Sequence, residues 1–497
     1  MHTSNHYLPP FLFGIVSVIT IAISLALLLT PYASMAFLPG VALVFFILLG
    51  NNLEWGYYTI AFLLPFAAYR SLSGPLEFVR IHWLLAIGIL IVVFLRQVVE
   101  KSRPLHLRSS LWPWLAVYFA LSLVSALFSN YPAVALKTVG LQAVAYIFIA
   151  LGMMLVSRKG FQTFLPNVIV ASISLGSLFA SLGFFFNISL FAEKVDGTFK
   201  RGLGLTTDPN SLSLMILFVT PFLAYRLMRA KTIRSRFFVL LLLFVNFMGL
   251  VTTYSRGGLI LLALLSIFIL GMHIKMLSPR KIGLVLAIMG LIAATSLAAI
   301  PPSYWERQIS LVKTDKKDLS LKRRASYLLV AGDAFLQHPV LGSGPGTFKE
   351  LYAQSPYADK FVRSGKNRKR PAHNTYVEVL IGGGLPSLFV FLGALAAGLG
   401  NYTRAKRRFE ARGDKEMALL VSTYRMSYIA LLLFLMLFSD LFQKYLLLSL
   451  GLSQVAFNLS EDSPEASPED STELKPPTSS HKKESKKDNT CPLLEEL

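Results

Sequence analysis

Apolar residues in this chain come in long blocks separated by short polar breaks. Runs of about 20 residues, long enough as helices to cross a hydrocarbon core of roughly 30 Å, lie at Phe11 to Thr30 and near 34 to 50, 55 to 69, 81 to 97, 111 to 128, 133 to 156, 161 to 186, 210 to 228, 236 to 253, 257 to 274 and 282 to 300. A polar insert follows, and then three more runs near 375 to 399, 418 to 439 and 443 to 459. The pattern predicts an all-α polytopic membrane protein with about 12 to 14 transmembrane helices, two of the shorter runs being candidates for re-entrant or interfacial segments. The first run has no Lys or Arg before it and exceeds a usual signal-peptide core, so it is expected to remain as a span although Ala33-Ser34-Met35-Ala36 imitates a cleavage site. Five segments are expected: transmembrane helices over 1–190 and 191–300, a loop over 301–374, C-terminal transmembrane helices over 375–459 and a tail over 460–497.

Composition narrows the class. The 497 residues are 54% apolar and only 15% charged, with a mean hydropathy of +0.57, which excludes a soluble enzyme. A net charge of +21 would point to nucleic acid in a soluble chain. In a membrane protein it is first a sign of topology, because Lys and Arg collect in short cytoplasmic loops, and no nucleic-acid partner is expected. Arg96 to Arg108, Arg158 and Lys159, Arg226 to Arg236, Lys275 to Lys281 and Arg404 to Lys415 mark alternate loops, all on one side. Both termini are therefore expected in the cytoplasm and the insert outside. The single cysteine, Cys491, allows neither an intrachain disulfide nor a cysteine metal cluster. Beyond Phe457 the composition turns to Ser, Pro, Glu and Lys, the signature of a disordered tail.

The insert carries fourteen Lys or Arg against six Asp or Glu between Pro301 and Asn374. Loops beyond about 60 residues escape the orientation rule, but the excess still points to an anionic ligand such as a phosphate-bearing lipid or glycan. The plainer alternative is a solvated loop touching anionic headgroups. Within the insert, Tyr327, Leu328, Ala331, Ala334 and Phe335 give Lys322 to Gln337 one apolar helical face, expected to lie along the membrane surface with Arg323 and Arg324 at its start. His338-Pro339 and the glycines 342, 344 and 346 end it. Those glycines fit no nucleotide motif, since neither a Gly-Lys-Ser/Thr ending nor a strand-to-helix setting is present.

Ionisable residues beside spanning segments are costly unless paired or hydrated, and here they gather at the outer ends. Arg201 precedes Thr207-Asp208-Pro209-Asn210, where Asp208 or Asn210 can cap the next helix and Pro209 suits its first turn. Arg256 sits in Tyr254-Ser255-Arg256-Gly257-Gly258, a tight turn whose backbone can approach a ligand. Headgroup anchoring or snorkelling is the simpler role for each arginine. His373 and Asn374 start a span on the same face, and imidazole has the side-chain pKa nearest neutrality. Glu378, one turn further in, can orient a neighbour or serve as a satisfied polar group in the bundle.

At these residues the chain resembles the O-antigen ligase and O-antigen polymerase superfamily over roughly Gly197 to Ser449. The ordered set is Arg324, Phe335, His338-Pro339, Gly342, Gly344, Gly346 and Phe348, then His373-Asn374 and Glu378 before Gly384-Leu385-Pro386. The family often has an acidic residue where this chain has Gly382, and it usually has about twelve spans. The resemblance implies a GT-C-like fold and a glycosyltransferase in the bacterial inner membrane with its active site facing the periplasm. It also implies a polyprenyl-diphosphate-linked glycan (undecaprenyl diphosphate) as donor, and a lipid A core or a second lipid-linked glycan as acceptor. Arg201 and Arg256 look like the arginines at the donor diphosphate, and His373 like the catalytic base. Arg324, His338, Asn374, Asp208 and Glu378 would support them. Two guanidinium forks can neutralise a departing diphosphate in place of a metal, so no metal or cofactor is expected and transfer would invert the anomeric centre. Ligation and polymerisation remain open at this point, ligation being favoured. A transporter is the competing class, but transporters place substrate near the bilayer midplane, often between internal repeats, and no repeat is evident. A partner protein without chemistry would leave Arg201, Arg256 and His373 unexplained together.

Overall fold

The computed structural model describes residues 10–28, 52–66, 86–93, 108–195, 199–273, 319–361 and 368–461. The runs expected near 34 to 50 and 282 to 300, the insert before 319 and the tail after 461 lie outside the described residues. The elements are α1 (Pro10–Leu28), α2 (Leu53–Leu63), α3 (Trp112–Leu127), α4 (Pro132–Leu155), α5 (Leu165–Phe185), β1 (Ala192–Val195), β2 (Phe199–Gly202), α6 (Pro209–Arg229), α7 (Ile233–Thr252), α8 (Arg256–His273), α9 (Leu319–Gln337), α10 (Phe348–Gln354), α11 (Pro356–Phe361), α12 (Thr375–Ala411), α13 (Lys415–Phe434) and α14 (Lys444–Glu461). Among the described residues, six helices are long and apolar enough to cross a membrane: α4, α5 with the π-turn before it, α6, α7, α12 and α13. The chain is an all-α polytopic membrane protein, with one short hairpin among the described residues.

Helix α12 packs on α3, α13 and α14, while α5 packs on α6 and α7 and α13 closes against α6. Small residues set the α5–α7 distance: a side chain at Gly249 would come within 2.6 Å of Ser177 Cβ, the close approach that apolar surroundings favour when lipid supplies no hydrophobic drive between helices. Asn246 is buried at the same seam, donating to Ser174 Oγ at 2.8 Å and accepting from Ser177 Oγ at 2.9 Å. The centre is rich in tyrosine. Tyr402, Tyr424 and Tyr428 are buried and donate to the carbonyls of Ser449, Phe161 and Leu395 at 2.7 to 3.0 Å, so each polar tip is satisfied where water is absent.

The glycine-rich loop after α9 has a structural explanation. Pro386 has no N–H to give the carbonyl four residues before it, and α12 breaks at Gly384, whose φ is 70°. The freed Gly382 carbonyl accepts from Gly344 N–H at 3.0 Å and Ser125 Oγ at 2.7 Å. Ser343 N–H donates to the Ile381 carbonyl at 2.7 Å, and Leu385 N–H to the Pro339 carbonyl at 2.9 Å. Loop backbone thus lies directly on helix backbone. At Gly342, also left-handed with φ 68°, a Cβ would sit 2.5 Å from Gly383 N. Gly382 itself belongs to this junction, where a Cβ would come to 3.0 Å from Pro345 Cα.

The apolar face expected of the insert helix finds partners within the insert itself. Helix α9 forms over Leu319–Gln337, but Tyr327, Ala331 and Ala334 turn inward and pack with Phe348, Tyr352, Ala372 and Ile381 in a small core of the insert itself. Leu328 is exposed with Leu329 and Leu336 on the other side. Of the residues read as one apolar stripe, Tyr327, Ala331, Ala334 and Phe335 face this core and Leu328 faces outward.

Candidate active site at the insert end of the helices

Arg201 is delivered by the hairpin. β1 and β2 pair antiparallel with Glu193 opposite Arg201, and their charged groups come to 3.9 Å. Phe191 stacks on Phe179 of α5 with centroids 4.6 Å apart, and its carbonyl accepts from Leu203 and Gly204. The hairpin is thereby pinned to the end of α5. The Arg201 side chain is only 13% exposed. Its Nε donates to the Thr253 carbonyl at 2.8 Å, and Nη2 reaches Asn210 Oδ1 at 3.5 Å. That same Asn210 oxygen accepts from Ser255 Oγ at 3.1 Å. Burial lowers the Arg201 pKa and Arg324 adds to the effect, while Asp208 and Glu193 oppose it.

Asp208 caps α6, accepting from the N–H groups of Asn210 and Ser211 at 2.6 and 3.2 Å, the arrangement its sequence setting predicts. Tyr254 takes a left-handed φ of 54° between α7 and α8. Ser255 Oγ then accepts from Gly258 N–H at 3.3 Å, and Arg256 opens α8, partly buried. Arg256 therefore stands three residues along the chain from the carbonyl that holds Arg201.

His373 stands at the entrance to α12 with a left-handed φ of 54°, a conformation rare for a residue with a side chain and held only when its surroundings enforce it. Those surroundings are visible on both sides. Glu378 accepts from Ala372 N–H at 3.0 Å. Asn374 donates its N–H to Ser439 Oγ at 3.0 Å and caps α12 through Val377 N–H at 3.1 Å. Thr375 N–H reaches the Leu435 carbonyl at 2.9 Å. The His373 ring packs on Tyr327 of α9, centroids 5.7 Å apart, and its Nδ1 is buried without a hydrogen-bond partner among the described residues. Burial pushes the imidazole down to about 4, helped by the positive charges of Arg324, Arg370 and Arg323 and opposed by Asp208.

Asp208 and Arg324 act on both Arg201 and His373, so residues from three distant segments share one electrostatic neighbourhood. His338 does not join them through its side chain. It closes the turn after α9 by its backbone and lines a cleft of about 530 Å³ with Tyr131, Asp333, Gln337, Tyr357 and Lys360. Sequence reasoning missed Arg370, which sits in a basic run like any solvated stretch, and the Thr253 carbonyl, which no residue type announces.

These features define a multi-pass helical membrane protein with a cationic, histidine-bearing candidate site at one end of its helices. Residues 237–392 match the O-antigen ligase family model. The match runs through Arg256, Arg324, His373 and Glu378 and supports the O-antigen ligase and polymerase superfamily, and with it an O-antigen ligase or polymerase type of function. No curated protein matches the chain.

Proposed function

We propose that the protein transfers a glycan from a polyprenyl diphosphate carrier to an acceptor hydroxyl at the periplasmic face of the bacterial inner membrane, and that the reaction is O-antigen ligation to a lipid A core. The carrying observation is the convergence of Arg201, Asp208, Arg324 and His373. Arg201 and Arg256 hold the donor diphosphate, their planar forks suiting phosphate oxygens. With its pKa held low, His373 is neutral at physiological pH and takes the acceptor proton as the acceptor oxygen attacks the anomeric carbon. The anomeric C–O bond breaks as the new one forms, its electron pair leaves with the lipid diphosphate, and a single displacement inverts the centre. Asp208 stabilises the imidazolium that results, and Glu378 and Asn374 fix the loop that carries it.

Deletion of the protein tests the reading on a lipopolysaccharide gel. Loss of the whole ladder, with long polymer retained on the polyprenyl carrier, supports ligation. A core bearing a single repeat unit would instead assign the protein to polymerisation of repeats. An unchanged ladder with normal carrier turnover would overturn both.

A further inference from the structure

The insert holds a second group of cations that the donor site does not use. Arg323 lies on α9, one helical turn before the Tyr327 ring that packs on His373, and Arg370 lies three residues before His373 in the chain. The Nε atoms of both are buried and without a hydrogen-bond partner among the described residues. Their neighbours differ: Arg368 pairs with Asp359 at 2.6 Å, and Lys369 with Glu350 at 2.8 Å. A buried donor without a partner is costly, more so when charged, and here two such Nε–H groups accompany Arg324 about one histidine. Like charges gathered this way call for an anion between them.

Position identifies whose anion it is. Arg201 interacts electrostatically with Asp208, Glu193 and Arg324, whereas His373 interacts with Arg324, Asp208, Arg370 and Arg323. Arg370 and Arg323 flank the histidine, the first through the chain and the second through the Tyr327 ring that packs on it, and neither is among the charges that act on Arg201. The acceptor hydroxyl must lie at the base that takes its proton, so an anion held beside His373 belongs to the acceptor.

We propose that Arg323 and Arg370, with Arg324, bind a phosphoryl group carried by the acceptor, and that this charge positions the acceptor hydroxyl at His373. The proposal rests on the glycan-transfer reading above. A phosphorylated lipid A core and a second diphosphate-linked glycan share this chemistry.

The test uses the full-length protein in nanodiscs with lipid-linked donor glycan and three acceptor probes in separate arms: lipid A core, the same core dephosphorylated with hydrofluoric acid, and polyprenyl-diphosphate-linked repeat unit. Arg323→Gln and Arg370→Gln are each expected to raise the KM for the phosphorylated acceptor about tenfold or more, as for loss of a charge-assisted hydrogen bond, with the donor KM unchanged and Lys variants partly restored. The dephosphorylated core is expected to react poorly with the native protein and to be indifferent to the substitutions. Whichever phosphorylated acceptor shows the effect identifies the source. Unchanged acceptor KM in folded variants, or a rise in donor KM instead, would overturn the acceptor assignment while leaving glycan transfer intact. No transfer by the native protein to any acceptor, with no donor consumed, would defeat the underlying reading and this proposal with it.

Discussion

The guanidinium Nε of Arg201 donates to the Thr253 carbonyl at 2.8 Å, tying the hairpin to the turn that leads into Arg256. A directional bond to a backbone carbonyl leaves the fork in a set orientation before any ligand arrives, which is the preorganisation a charged leaving group requires.

Replacing that fork should separate charge from geometry. Arg201→Lys keeps the charge but cannot span Thr253 and Asn210 together, and a lost charged hydrogen bond is worth about 1.5 to 3 kcal/mol. A drop of about tenfold or more in donor kcat/KM is expected, measured by carrier release from purified protein. Native turnover in Arg201→Ala would remove the arginine from the donor site.

Loss of the imidazole should act on rate. His373→Ala is expected to slow transfer by a factor of about 10² to 10⁴ while donor binding persists, checked by single-turnover kinetics beside a direct donor-binding measurement. Weakened binding at native maximal rate would show that the ring holds substrate and is not the base.

The depressed His373 pKa has a pH signature. Its folded value of about 4 lies below the ordinary 6.5, so between those values the unfolded chain binds more protons. The group's contribution to stability is present above about 6.5 and is lost as pH falls towards 4. The acid limb of kcat/KM for the native protein should lie near 4, and Arg324→Gln should move it upward by removing a neighbouring positive charge. A limb at 6.5 in both proteins would contradict the burial and charge described for the ring.

Backbone contact between loop and helix predicts a sharp glycine contrast. At Gly384, with φ 70°, a side chain would fall on the Val340 carbonyl. Gly384→Ala should cost roughly 1 to 3 kcal/mol from the left-handed conformation alone and displace the His338 to Gly346 loop. Gly400 faces open space within the same helix, so Gly400→Ala should be neutral or stabilising by up to about 1 kcal/mol. Thermal unfolding of the two variants in detergent measures the difference.

Topology offers an independent check. Reporter fusions at Lys316 and Arg408 are expected in opposite compartments, following the alternation of positive loops. Finding both in one compartment would separate the insert from the periplasmic face.

Much of the architecture was legible along the chain because a lipid core imposes a local requirement: about 20 consecutive apolar residues, whatever lies elsewhere in the molecule. The runs near 133 to 156 and 210 to 228 became helices Pro132–Leu155 and Pro209–Arg229 almost residue for residue. Asp208 was readable as a cap for the same reason, since a cap contacts only the next turn. What decided the site was not local. Arg368, Lys369 and Arg370 are alike as sequence, yet the first two meet carboxylates and the third has a buried Nε without a hydrogen-bond partner among the described residues. The inward turn of Tyr327, the carbonyl of Thr253 waiting for Arg201 and the shared influence of Asp208 on Arg201 and His373 likewise depend on how distant segments pack. Hydropathy is summed over neighbours in the chain, whereas a charge's environment is summed over neighbours in space, and only the tertiary structure brings those together.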